Sequence, residues 1–288
     1  MMNIPIFLSS DNNYAPFVAT AIASICDNTK SFIDFYILDG GISEENKELI
    51  KKTRKQFTNA NLEFLNIDIE KMFGKFPVGQ YFSASMYSRF LIPELKPDID
   101  KAIYSDVDVV VLGDIADLYS EELNGYSVGA VQDMNGVNSV IAKLVRAKNK
   151  KITGVSASGK TFYSGMLLVD CVKWRAENIT RKLLDLTAEC TDRLRAPDQD
   201  VLNKYFGNNY TELDVKYQTG NVNACDFPVI YHFNGPVKPW HSRYSSKGKL
   251  HRYFNEFWYY AKMTPFYEKL KAQFDSDYAK YEETFAIT

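Results

Sequence analysis

Residues 4–68 alternate short apolar runs with helical stretches, and that alternation constrains the fold more than any other feature. "IPIFLSS" (4–10) predicts a strand, "APFVATAIASIC" (15–26) a mostly apolar helix, and "IDFYILDGG" (33–41) a second strand that runs into a glycine turn. "SEENKELIKKTRKQF" (43–57) predicts a helix with Ser43 as its N-cap, acids in the first turn and bases later, the order that the helix dipole favours. "NLEFLNID" (61–68) supplies a third strand. Strand and helix in this order imply right-handed crossovers, so the chain is α/β, with a Rossmann-like, mainly parallel twisted sheet flanked by helices.

Ligands of such sheets gather beyond the carboxyl ends of the strands. Three polar clusters fall there: "SSDNNY" (9–14), "DGG" (39–41) and "SDVD" (105–108), the last ending a strand that follows the helical stretch "SASMYSRFLIPEL" (83–95). In "KAIYSDVDVVVLGDI" (101–115) most residues read as a buried strand, yet Asp106 and Asp108 sit inside it. Burying even one unpaired carboxylate is costly, so a cation between the two is the natural remedy. In extended chain, residues i and i+2 share a side while Val107 faces the other, which lets both carboxylates reach one point. Oxygen ligands of this kind suit Mg²⁺ or Mn²⁺. A DxD tripeptide alone also occurs where a strand merely ends or a helix is capped, so its context decides.

Composition narrows the partners. With 34 basic and 36 acidic residues the formal net charge is -2, too balanced to draw a polyanion, and nucleic acid is not expected. Cys26, Cys171, Cys190 and Cys225 are widely spaced without a CxxC pair and read as free thiols. "NIPIFLSSDNNY" near the start has neither a charged nor an apolar leader region, and no long apolar run follows, so a cytoplasmic protein is expected.

Further along, "SVGAVQD" (127–133) and "SGMLLVD" (164–170) predict strands. Between them lie a helical stretch and the loop "NKKITGVSASGKT" (149–161), which reads as a lid facing an acceptor or as a plain surface loop. Residues 178–194 and 198–206 predict helices, and "PVIYHFNG" (228–235) a late strand. The chain is expected to divide into a main domain, 1–240, and a helical, aromatic-rich extension, 241–288, built around "YFNEFWYYAKMTPFYEKL" (253–270). The mildly cationic 238–252 region raises weak peripheral contact with the inner face of a membrane; the balanced charge beyond it fits packing on the main domain.

The segments "SSDNNYAPFVATAIASI", "FYILDGGISEENKE", "SMYSRFLIPEL", "AIYSDVDVVVLGDIADLY", "SGMLLVDCVKW", "PDQDVLN" and "YHFNGPVKPW", in this order, resemble glycosyltransferase family 8 across residues 3–241. The resemblance implies a GT-A type fold and a retaining, metal-dependent transferase. It implies a hexose moving from a UDP-sugar, UDP-galactose or UDP-glucose, to a saccharide or glycolipid acceptor such as lipopolysaccharide, capsule or glycan. By the same resemblance Asp106, Asp108 and His232 hold Mn²⁺, with Mg²⁺ as the alternative; an imidazole in the set favours the later metal. Lys238 adds a point charge on the phosphates, and Gly235 lets backbone approach them.

The resemblance assigns Ser10, Asp11, Asn12, Asn13 and Tyr14 to the uracil and ribose, with the Tyr14 ring stacked on the base, although an Asp-Asn turn capping a helix explains such residues as well. Val107 and Ser164 join the donor contacts. Arg89 is expected against the donor sugar and phosphate, or else in a salt bridge, and Asp133 facing the sugars. Asp198 is expected to grip donor-sugar hydroxyls, unless it merely caps the helix it opens, and Gln199 to sit beneath the anomeric carbon.

Two positions depart from the family pattern. Tyr163 stands in "FYSGM" where members usually carry asparagine, and Tyr81 stands where close bacterial relatives carry histidine. Both touch the sugar end, so galactose, glucose and an N-acetylated sugar all stay open. Tyr163 also leaves room for a UDP-sugar-binding partner protein without turnover. The 19 tyrosines leave room for self-glycosylation in the manner of glycogenin, though an aromatic core explains them equally. Oligomeric state is not legible.

Overall fold

In β1 (Asn3–Ser10) the side chains of Ile4, Ile6 and Leu8 enter one core and that of Phe7 another, and all four are buried. A strand covered on both faces belongs at the centre of a sheet between helical layers. The computed structural model, which describes residues 3–78, 83–133, 160–190, 194, 196–220, 225–245 and 248–285, places it there. β1 pairs in parallel with β2 (Phe32–Asp39), β2 with β3 (Ala60–Asn66), and β1 on its other side with β4 (Lys101–Ser105). β5 (Val109–Val111) leaves this sheet.

The remaining strands make the sheet mixed. β6 (Val128–Gln132) and β7 (Phe162–Asp170) pair antiparallel, β7 also runs antiparallel to β4, and β8 (Thr211–Leu213) closes the edge parallel to β6. The order is β3-β2-β1-β4-β7-β6-β8. β9 (Ile230–His232) pairs antiparallel with β5 as a separate two-stranded sheet.

Alternation sorts residues between two cores throughout. Ile103 of β4 and Met166 and Leu168 of β7 join Ile4, Ile6 and Leu8, whereas Ala102, Tyr104, Leu167 and Val169 join Phe7. The first core is sealed by α1 (Ala15–Asn28), whose residues Ala15 to Cys26 are all buried, as expected of a helix apolar on every side. α2 (Glu44–Arg54) has the expected cap: Ser43 Oγ accepts from the Asn46 N–H at 3.3 Å. The helix Phe254–Lys262 adds Phe257, Tyr260 and Ala261 to the same core, and Tyr260 Oη accepts from Asn28 Nδ2 at 2.6 Å.

One local expectation is corrected and two are refined. The run 101–115 is two strands of different sheets, β4 and β5, with the DxD residues in a bend between them. Residues 83–95 form a 3₁₀ helix, Ala84–Leu91, continued by a single α turn, Ile92–Leu95. Residues 253–270 contain a break between Phe254–Lys262 and the helix Tyr267–Phe285. The loop 149–161 lies outside the described residues except for its last two positions. All four cysteines are free, and no helix among the described residues is long and apolar enough to cross a membrane.

Candidate active site

The bend after β4 exists because the chain changes sheets there. β5 pairs Val109 with His232 of β9, and the Phe233 N–H donates to the Asp108 carbonyl at 2.9 Å. This small sheet brings an imidazole from late in the chain beside two carboxylates from its middle. Asp108 Oδ1 lies 3.0 Å from His232 Nε2, and Asp106 Oδ2 lies 3.8 Å from it. The three offer ligand atoms all within 4.8 Å of one another.

Each carboxylate keeps its other oxygen for a protein partner. Asp106 Oδ1 accepts from Tyr104 Oη at 2.7 Å and from Arg89 Nη2 at 2.9 Å. Asp108 Oδ2 meets Lys238 Nζ at 2.5 Å. His232 Nδ1 is 3.2 Å from Gln218 Nε2, and Gln218 Oε1 accepts from the Met166 N–H at 3.1 Å. Tyr104 and Arg89 thus orient Asp106, and Gln218 orients His232, as groups around metal ligands commonly do, whereas Lys238 sets a protein cation on Asp108.

Gly165 completes the cradle. A Cβ there would lie 2.7 Å from Gln218 Nε2, 2.7 Å from His232 Cε1 and 2.8 Å from Asp106 Oδ2. The Asp106 N–H donates to the Gly165 carbonyl at 2.7 Å, so the backbone of β7 passes directly against the bend. Two carboxylate oxygens and one imidazole nitrogen, with space kept by a glycine, fit Mn²⁺ or Mg²⁺.

Electrostatics follow from burial and pairing. Burial opposes ionisation of Asp108, but Lys238 and His232 outweigh it and hold that carboxyl well below the usual range. Burial raises Asp106, and Arg89 and His232 only partly offset it. Burial disfavours a charged His232, yet Asp108 and Asp106 raise it above an ordinary imidazole.

These groups line a cleft of about 540 Å³. Ser10, Asp11 and Tyr14 line it at the end of β1, Arg89 and Val107 beside the carboxylates, Gly235 and Lys238 after β9, and Tyr163, Ser164, Asp198 and Gln199 from β7 and the helix Pro197–Phe206. Gly235 has φ +102°, a conformation that favours glycine. Asp198 is in the first turn of the helix Pro197–Phe206, not at its cap, and its buried Oδ2 accepts from Ser164 Oγ at 2.8 Å and pairs with Arg89 Nη1 at 2.9 Å. Gln199 Oε1 accepts from the Ser164 N–H at 3.2 Å.

Other residues are engaged elsewhere. Asn12 Oδ1 accepts from the Ser43 N–H and from Asn46 Nδ2, tying the β1 loop to α2. The Asn13 and Tyr14 N–H groups both donate to Asp11 Oδ1, at 3.0 and 3.2 Å, so Asp11 also shapes the turn. In the "DGG" cluster, Asp39 Oδ1 accepts from the Gly41 and Ile42 N–H groups and its Oδ2 pairs with Lys47, bracing the loop instead of lining the cleft. Asp133 follows β6, its N–H donating to the Thr161 carbonyl at 2.7 Å, and it is not among the described residues that line the cleft. Tyr81 lies outside the described residues.

Tyr104, Gln218 and Gly165 had no assigned role in the sequence reading. Gly165 alone left a signal, as the glycine of "FYSGM".

The sequence profile of Glycosyl transferase family 8 matches residues 5–243. Glycosyltransferase GlyF of Streptococcus pneumoniae is 31% identical over 253 residues, 84% of this chain and 58% of that protein. The chain thus spans little more than half of that relative's length. Lipopolysaccharide 1,2-glucosyltransferase of Escherichia coli is 27% identical over 80% of this chain and 71% of its own. The galactosyltransferase LgtC, solved with donor and acceptor sugar analogues, superposes with a TM-score of 0.77 at 24% identity, covering 91% of this chain and 96% of that one, which establishes a common fold.

Proposed function

Because this chain belongs to glycosyl transferase family 8, we propose that it transfers a hexose from a UDP-sugar to a saccharide acceptor with retention of configuration, aided by a divalent ion. UDP-galactose and UDP-glucose are the donors proposed, and a lipopolysaccharide, capsule or other glycan the acceptor. The observation that carries this reading is the convergence of Asp106, Asp108 and His232 within 4.8 Å in a cleft that Asp198 and Gln199 also line.

Asp106, Asp108 and His232 would hold the ion, which would supply positive charge against the diphosphate and so ease the departure of UDP. Tyr14, at the mouth of the cleft, presents a ring to the uracil, and Asp11 a carboxylate to its edge or the ribose. Lys238 supplies a cationic partner for the phosphates, and Gly235 close backbone approach. Asp198 receives donor-sugar hydroxyls while Arg89 and Ser164 hold its carboxylate in place. Gln199, fixed by the Ser164 N–H, lies beneath the anomeric carbon. Its neutral amide is a poor nucleophile, which favours entry of the acceptor hydroxyl on the face that UDP leaves.

The test is a screen of UDP-hexoses with Mn²⁺, following UDP release with and without saccharide acceptors. Slow hydrolysis of one donor, accelerated by acceptor and abolished by chelator and by Asp108→Ala, is the expected result. Absence of turnover with every donor, or full turnover by Asp108→Ala, overturns the reading.

A further inference from the structure

Asp106 and Asp108 obtain their compensating charge in different ways. Arg89, partner of Asp106, is fastened on every side: Nη1 to Asp198 and to the Ser164 carbonyl at 2.6 Å, Nε to the Met86 carbonyl at 2.9 Å, and the guanidinium 4.4 Å over the Tyr104 ring. Lys238, partner of Asp108, donates to Asp108 Oδ2 and to the Phe233 carbonyl at 2.6 Å. It stands in the stretch after β9, close to Gly235, and lines the open cleft. A lysine is a point charge on a flexible stem, suited to exchanging one anionic partner for another, whereas an arginine fork is suited to staying.

We propose that Lys238 stands in for the divalent ion while the cleft holds no donor, and that a diphosphate draws it off Asp108, so that ion and nucleotide bind cooperatively. This rests on the proposed UDP-sugar reading and goes beyond a simple phosphate contact. An ion arriving alone meets Asp108 already neutralised by an ammonium 2.5 Å from Oδ2, and is repelled by that ammonium. Diphosphate oxygens give the ammonium a new partner and leave Asp108 to the ion. By linkage each ligand then raises the affinity for the other by the same factor.

The experiment titrates Mn²⁺ into the full chain, reading free ion by electron paramagnetic resonance, with and without UDP, for wild type and Lys238→Met. Lys238→Gln is the second variant should the first unfold, and thermal denaturation reports folding. In wild type, UDP strengthens Mn²⁺ binding within the roughly 5–150-fold range of coupled sites. Lys238→Met binds Mn²⁺ alone about fivefold tighter or more, and its UDP coupling shrinks by a similar factor, leaving only the contact between ion and phosphate. The gain persists at about 0.5 M salt, where long-range repulsion is screened but a direct buried pair is not.

Unchanged or weaker Mn²⁺ binding by the folded variant, or a gain that vanishes in salt, overturns the inference and leaves the enzymatic reading standing. Failure of wild type to bind Mn²⁺ even with UDP overturns both.

Discussion

The guanidinium of Arg89 meets the carboxylate of Asp198 at 2.9 Å, with both side chains almost wholly buried. Together with the Asp106 contact this makes Arg89 a bridge between the end of β4 and the helix Pro197–Phe206. The sequence leaves this arginine either against the donor or in a salt bridge; it lines the cleft, and its polar atoms hold protein partners. Removing it strands the buried Asp198 and takes one partner from the half-buried Asp106, so Arg89→Ala is expected to cost about 3–5 kcal/mol of stability, the usual penalty for breaking a buried pair. Arg89→Lys keeps the charge but not the fork and falls between. Urea denaturation checks this: a loss below about 1 kcal/mol for Arg89→Ala, the size of an ordinary substitution, contradicts it.

Gly165 tests the cradle independently of charge. In Gly165→Ala the new methyl overlaps His232, Gln218 and Asp106, and the metal ligands must separate to admit it. Mn²⁺ affinity is expected to fall by about 10–100-fold, the range seen when groups that orient metal ligands are disturbed. Isothermal titration with Mn²⁺ and UDP measures it, and an undiminished affinity shows that the three ligand atoms do not act together.

Much of this was legible in the sequence because it is local. The order β1, α1, β2, α2, β3 follows from apolar period and capping, and Asp106 and Asp108 announce themselves as charges in an apolar run. What the sequence hides depends on contacts between distant segments. Nothing local says that "VVV" leaves one sheet to pair with "IYH" in another, yet this is what delivers His232 to Asp108. The 3₁₀ geometry of Ala84–Leu91 is equally hidden: Ser88 Oγ donates to the Ser85 carbonyl at 2.6 Å, and Ser9 Oγ reaches the same carbonyl from β1. Gln218 in "KYQTG" looks like a loop amide until β7 and β9 are placed around it.

His251 gives the acid side of the stability profile. It is buried edge-on to Phe233, which directly follows His232, and its pKa is lowered to about 4 by burial first and then by Lys238 and His241. The unfolded chain, with an ordinary imidazole, takes up this proton first. The contribution of His251 to stability is therefore complete above about pH 6.5 and is lost as pH falls toward 4, reaching up to about 3 kcal/mol. Carboxylates titrate in the same range, so the readout is a difference: urea midpoints at pH 7 and 4.5 for wild type and His251→Phe. The variant is expected to lose less stability on acidification, and parallel losses contradict the assignment.

Tyr14 and Trp240 separate the proposed binding of the base from folding. Trp240 is buried and stacks on Phe17 with ring centroids 3.6 Å apart, and it backs Tyr14 edge-on at 6.2 Å. Tyr14 is 37% exposed at the cleft mouth. Trp240→Ala empties a packed core and is expected to cost about 3–5 kcal/mol. Tyr14→Ala removes little packing but takes away the surface proposed for the base, so KM for the UDP-sugar is expected to rise about tenfold, as loss of one aromatic stacking contact would cause, with stability nearly unchanged. Replacement by phenylalanine keeps the ring face and restores most of the affinity. If Tyr14→Ala leaves KM as it was, the base must lie elsewhere in the cleft; if Tyr14→Phe raises KM as much as Tyr14→Ala does, the hydroxyl rather than the ring meets the donor.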